Sequence, residues 1–214
     1  MVQGKHIVIL GLALLLAVGV SAQMDADEIV QKVRQKVDTD KPMRVKFQQV
    51  FEWKLTGKVE KMAGEMVLEG LNKFRIVTPD QTVVSNGKIM WTYSRLENQV
   101  IIDQVRHNAQ TLMPRDILLS YPDQYNIRVW KPDLTVQNEP AVALLMQPKS
   151  SDQFLQELKV WISKESWHPL KVEFTDLNDN STTYQINSVT IDTTISEEQF
   201  TFHPDSTTDI IDVR

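Results

Sequence analysis

The sequence predicts a mainly β, α+β fold: a strongly curved antiparallel sheet or barrel of about eleven strands, preceded by one helix. Three observations lead there. A run of alternating apolar and polar residues begins at Met43. Strand-like runs follow it at short intervals, separated by turn chemistry. One apolar stripe at helical spacing precedes them all.

Residues 1–22 stand apart from this pattern. Lys5 and His6 precede an apolar run from Ile7 to Val20, and Val20-Ser21-Ala22 offers a small-residue cleavage site. That is the layout of a secretory signal peptide, and the run is short for a membrane span. Cleavage after Ala22 is expected, leaving 23–214 as one exported domain. It removes Lys5, the single formal charge in 1–22, and so lowers the net charge from −5 by one. An acidic balance points away from nucleic acid. With no cysteine the chain cannot use disulfides, so its core must hold it together. Gln23 stands where an acylated cysteine would be needed for a lipid anchor.

The first element is a helix. Asp25 serves as N-cap with Glu28 three residues on. Ile29, Val30, Val33 and Val37 form its apolar stripe, and Pro42 closes the region. From Met43 to Trp53 the odd positions are apolar except Gln49 and the even positions polar except Val50. Such alternation means one dry and one wet face. Further strands are expected at 58–69, 73–78, 81–85, 88–94 and 99–105. Asn86-Gly87 marks a hairpin, and Thr78-Pro79-Asp80 another turn. Residues 107–122, bounded within by Pro114 and Pro122, fit short helices better. Strands resume at 125–131, 141–147, 155–163, 170–175, 182–191 and 199–203.

No nucleophile motif, metal-binding motif or phosphate cradle accompanies this pattern. His107, His168 and His203 are far apart, and the latter two precede prolines. Asp176-x-Asn178-x-Asn180 opens like a calcium loop but has Ser181 in place of the glycine and Asn187 in place of the closing glutamate. It reads as an Asx-rich turn. Neither catalytic residues, metal nor cofactor are expected, and the chain is not expected to be an enzyme. Eight methionines, seven phenylalanines and five tryptophans form an apolar surplus suited either to filling a core or to lining a site for variable apolar shapes.

Several segments resemble the LolA family of periplasmic lipoprotein carriers. They are Val45-x-Phe47-x-Gln49; Asn72-Lys73-Phe74-Arg75-Ile76 followed by Val83-Val84-Ser85-Asn86-Gly87-Lys88-x-x-Trp91-x-Tyr93; Ile117-Leu118-Leu119 with Gln124-Tyr125-Asn126-Ile127; and Phe200-Thr201-Phe202-x-Pro204 with Ile211-Asp212. The resemblance implies an incomplete antiparallel barrel under a short helical lid, with an apolar cavity between them for acyl chains. Phe47, Met66, Leu68, Phe74, Ile76 and Val83 would line it, joined by Met90, Trp91 and Tyr93 on the next strand. From the second half of the chain would come Leu144, Met146, Val172 and Phe174. Leu112, Met113, Ile117, Leu118 and Leu119 would form the lid. Implied partners are acylated lipoproteins, an inner-membrane lipoprotein-releasing ABC transporter and an outer-membrane receptor lipoprotein, the carrier itself being a monomer. The family's arginine-proline pair, whose arginine latches the lid, is replaced here by Glu69-Gly70-Leu71, and Arg75 should face away from the cavity if Phe74 faces in. A lipid- or lipoprotein-sensing regulatory domain of the same fold is the alternative.

Overall fold

A computed structural model describes residues 24–37, 41–70, 72–105, 125–150 and 155–214. The proposed signal peptide and the lid residues Leu112, Met113, Ile117, Leu118 and Leu119 lie outside them. Helix α1 spans Ala26–Val37. Its start follows the expected cap: the Glu28 backbone N–H donates to Asp25 Oδ1 at 2.8 Å. Ile29, Val30 and Val33 are buried.

Among the described residues twelve strands form one open sheet, not closed into a barrel. In chain order they are β1 (Met43–Glu52), β2 (Val59–Glu69), β3 (Lys73–Val77), β4 (Gln81–Asn86), β5 (Ile89–Ser94), β6 (Gln99–Gln104), β7 (Tyr125–Val136), β8 (Glu139–Pro148), β9 (Leu155–Ser163), β10 (Pro169–Asp176), β11 (Ser181–Ile191) and β12 (Asp209–Asp212). The spatial order is β12-β6-β5-β4-β3-β2-β1-β11-β10-β9-β8-β7. Every pairing is antiparallel except β12 beside β6. The long strand β1 is central, joining a first meander on β2 to a second on β11. Asn187 is the extra residue of a bulge where Val45 pairs with Val189 but Phe47 with Ile186, and bulges of this kind bend a sheet.

The sheet curls around its own apolar face. Ile29 and Val33 of α1, Met43 and Val45 of β1, Leu68 and Phe74 of the first meander, and Leu144, Leu158 and Val172 of the second share one buried cluster. This concave face is the main core.

The turns obey their residues. Gly87 takes φ +90° between β4 and β5, and Asn86 Oδ1 accepts the N–H groups of Lys88 and Ile89, both at 2.9 Å. Asp176 Oδ1 accepts from the N–H groups of Asn178 and Asn180, so the calcium-like stretch is an Asx turn.

Two expectations need correction. Residues 199–203 are not a strand: Glu197–Phe200 is a short 3-10 helix and the chain then runs extended outside the sheet. Here alternation arises because Phe200 and Phe202 both turn toward the convex face of the sheet. Phe200 is fully buried and Phe202 packs beside Tyr93. The parallel edge strand β12 was not anticipated, since all four of its residues are exposed and carry no alternation.

Candidate functional site

Pairing registers set which side chains share the concave face, because residues paired across strands point to the same side. One lateral file runs Val129–Leu144–Val160–Val172–Tyr184–Gln49–Met62. A second runs Val45–Met66–Ile76–Val83–Thr92. A third links Met43, Leu68, Phe74, Ser85 and Met90. Eleven of the thirteen residues expected to line a cavity fall on this face: Phe47, Met66, Leu68, Phe74, Ile76, Val83, Met90, Leu144, Met146, Val172 and Phe174.

Burial divides them. Phe47, Leu68, Phe74, Leu144, Met146 and Val172 are buried and act as packing beneath α1 and across the curl. Met66, Ile76, Val83, Met90 and Phe174 are only partly buried. Partly buried side chains retain surface that an apolar ligand can cover. Thus the accessible apolar surface concentrates on β2–β5 and on β10.

Trp91 and Tyr93 are a correction. Trp91 pairs with Val84, which pairs with Arg75, and this file lies on the convex side. There Trp91, Val84 and Val100 form a second cluster with Tyr93, Ile102 and Phe202. The Tyr93 hydroxyl hydrogen-bonds Asn98 Oδ1 at 3.0 Å. The C-terminal segment covers this side and takes these aromatics away from the concave face.

Sequence reasoning left out Tyr184, Ile186 and Val189 of β11 and Met62 of β2. All lie on the concave face by register with β1. Tyr184 packs edge-on against Phe47 at 5.5 Å and tilted against Phe174 at 6.2 Å. Phe47 in turn lies over Gly64, its cross-strand partner: a Cβ there would stand 2.4 Å from Phe47 Cζ. The ring fits because that residue has no side chain.

The two phenols within the apolar cluster are both raised by burial, Tyr125 to about 12. Several charge pairs occupy the convex side, while Asp103, paired with Met90, and Glu60, paired with Phe51, fall on the concave side. Arg44 bridges Glu65 and Asp192, and Lys159 joins Glu157 at 2.7 Å and Glu173 at 3.4 Å. Arg75 also lies there, donating to the Gln199 carbonyl at 3.4 Å. Glu69, in the stretch where the family's latch arginine is expected, pairs with Lys73 at 3.1 Å. Neither residue reaches the concave face. Such a face can take up apolar material by exclusion of water.

Comparison with known proteins agrees with this geometry. Residues 38–203 match the family model described as outer membrane lipoprotein carrier protein LolA. An uncharacterized protein of the archaeon Methanocaldococcus jannaschii is 24% identical over 201 residues, which cover 90% of this chain and 57% of that relative. The chain therefore spans little more than half of that protein's length. An outer-membrane lipoprotein carrier protein of Francisella tularensis is 30% identical over 152 residues, covering 70% of this chain and 71% of the relative. A crystal structure of an uncharacterized conserved protein from Thermus thermophilus superposes with a TM-score of 0.62 at 16% identity, covering 87% of this chain and 98% of that one. That last likeness is one of fold. With a family match over most of its length and a curated relative at this identity, the chain belongs to the LolA family.

Proposed function

We propose that this protein is a periplasmic carrier that binds the acyl chains of lipoproteins on its concave apolar face and ferries them from the inner to the outer membrane. The observation that carries the reading is the set of partly buried apolar residues that share the concave face, Met66, Ile76, Val83 and Met90 on β2–β5 and Phe174 on β10. Membership of the lipoprotein-carrier family supports the choice of cargo.

The physical need is simple. Each buried methylene is worth about 0.8 kcal/mol, so an acyl chain of about fifteen carbons costs on the order of 10 kcal/mol to expose to water. An apolar concavity offsets most of that cost. No covalent step or cofactor is required, so the protein is not an enzyme on this reading. Methionines at two of the accessible positions suit cargo of variable shape, because the thioether side chain is flexible and polarizable. Loading energy comes from an ATP-driven lipoprotein-releasing transporter of the inner membrane, and delivery goes to an outer-membrane receptor.

The test is release. Inner-membrane vesicles carrying the transporter and an acylated lipoprotein are incubated with ATP and the purified protein. The expected result is a soluble complex of protein and lipoprotein, reduced severalfold by Ile76→Asp. Lipoproteins that stay in the vesicles, while a bona fide carrier releases them, would refute the reading.

A further inference from the structure

Leu55 is 96% exposed, more than any other large apolar residue described. It sits at the tip of the β1–β2 hairpin, whose β2 arm extends beyond its pairing with β3. β2 pairs with β3 only from Glu65 to Glu69, so Val59–Gly64 has β1 as its one strand neighbour among the described residues. The tip is held in shape rather than left loose. The Trp53 N–H donates to the Lys58 carbonyl at 2.9 Å, the Gly57 N–H donates to the Trp53 carbonyl at 2.8 Å, and Gly57 takes φ +66°. The Lys54 N–H donates to Asn180 Oδ1 at 3.1 Å, tying the tip to the β10–β11 turn, where Leu177 is 54% exposed.

We propose that this hairpin tip is a bilayer-docking element, with Leu55 entering the acyl boundary of an anionic phospholipid membrane. Three features favour a bilayer over a protein partner. The first is side-chain chemistry: Trp53 lies just below the tip with Lys58 Nζ 5.0 Å from its ring, the arrangement suited to the headgroup level. The second is charge. Residues 53–61 carry Lys54, Lys58 and Lys61 against Glu60, which pairs with Lys58 at 2.7 Å, in a chain whose net charge is −5. The third is continuity, and it rests on the carrier reading above. Phe51 pairs with Thr182 on the concave side and meets Trp53 edge-on at 4.3 Å, so two aromatic rings stand between the concave face and the tip. An acyl chain leaving a membrane at the tip would meet these rings at the edge of the concave face.

The test is co-flotation of protein purified from the soluble fraction of cells with vesicles of phosphatidylethanolamine and phosphatidylglycerol. Binding is expected to fall severalfold in Leu55→Asp and Leu55→Ser, and in the triple variant Lys54→Gln, Lys58→Gln, Lys61→Gln, which should also lose its salt dependence. Ile191→Asp, at an exposed residue on the far end of β11, should float like the wild type. Unchanged flotation of both Leu55 variants, or wild-type flotation only when membrane proteins are present in the vesicles, would overturn the proposal. Uptake of a soluble fluorescent acyl probe separates the two readings. Leu55 variants that lose flotation but keep probe uptake support the docking tip. Hairpin-dependent flotation without any probe uptake would leave the tip standing and remove the carrier function. Loss of both flotation and uptake in Leu55→Ser would overturn the tip as a separate docking element.

Discussion

Gly64 shows how closely one position on the concave face is specified. Its missing side chain leaves the space that the buried Phe47 ring occupies. Gly64→Ala is expected to destabilise the protein by about 1–3 kcal/mol through overpacking. Phe47→Leu in the same chain should recover much of that loss, so a double-mutant cycle in urea should show clear coupling; strictly additive effects would contradict the contact. Tyr125 provides a test in pH. Burial raises its phenol from its ordinary 10.0 to about 12, with the hydroxyl donating to the Leu155 carbonyl at 3.2 Å. The folded state therefore holds the proton more tightly. Its contribution is fully present below pH 10 and is lost as pH rises from 10 to 12. Tyr125→Phe should flatten the fall in unfolding free energy across that window, and an unaltered slope would show that another group dominates. At this scale the sequence was legible where alternation had one reading, as for Phe47 and Phe74. It misled at β5, where Trp91 and Tyr93 are the more aromatic set yet point to the convex side. The cause is Phe202, which covers that side from more than a hundred positions away and leaves no mark on the local pattern.

Helix α1 is the element that fills the curl of the sheet, and two of its residues test different links. Asp25→Ala removes the cap and should cost about 0.5–2 kcal/mol. Ile29→Ala removes a side chain only 1% exposed within the main cluster and should cost about 2–5 kcal/mol. Chemical denaturation of both variants checks the order; a larger loss from the cap than from Ile29 would mean that the helix is not seated as described. The cap and the stripe were plain in the sequence because both are local signals. The C-terminal segment was not, because Phe200 and Phe202 satisfy their alternation against the back of β3–β6 rather than within a strand. β12 was missed for the opposite reason: Asp209–Asp212 has no buried residue, and only its pairing with β6 defines it.

For the whole molecule, strands β1–β11 and their antiparallel order followed from turn chemistry and period, while the openness of the sheet came only from the family resemblance. Whether twelve strands close depends on how the ends of β7 and β12 are placed, which no local pattern encodes. An open curl has a concave face that a ligand can reach, and the carrier account depends on that face rather than on any single side chain. Adjacent residues of β3 give the sharpest contrast, since Ile76 points to the concave side and Val77 to the convex side. A photoreactive benzoylphenylalanine placed at Ile76, Val83, Phe174 or Val77, followed by loading with a lipoprotein carrying labelled acyl chains, reads out which face holds them. The account predicts acyl cross-links from the first three positions and none above background from Val77. Equal cross-linking from Val77, or none from the concave positions in a loaded complex, would contradict it.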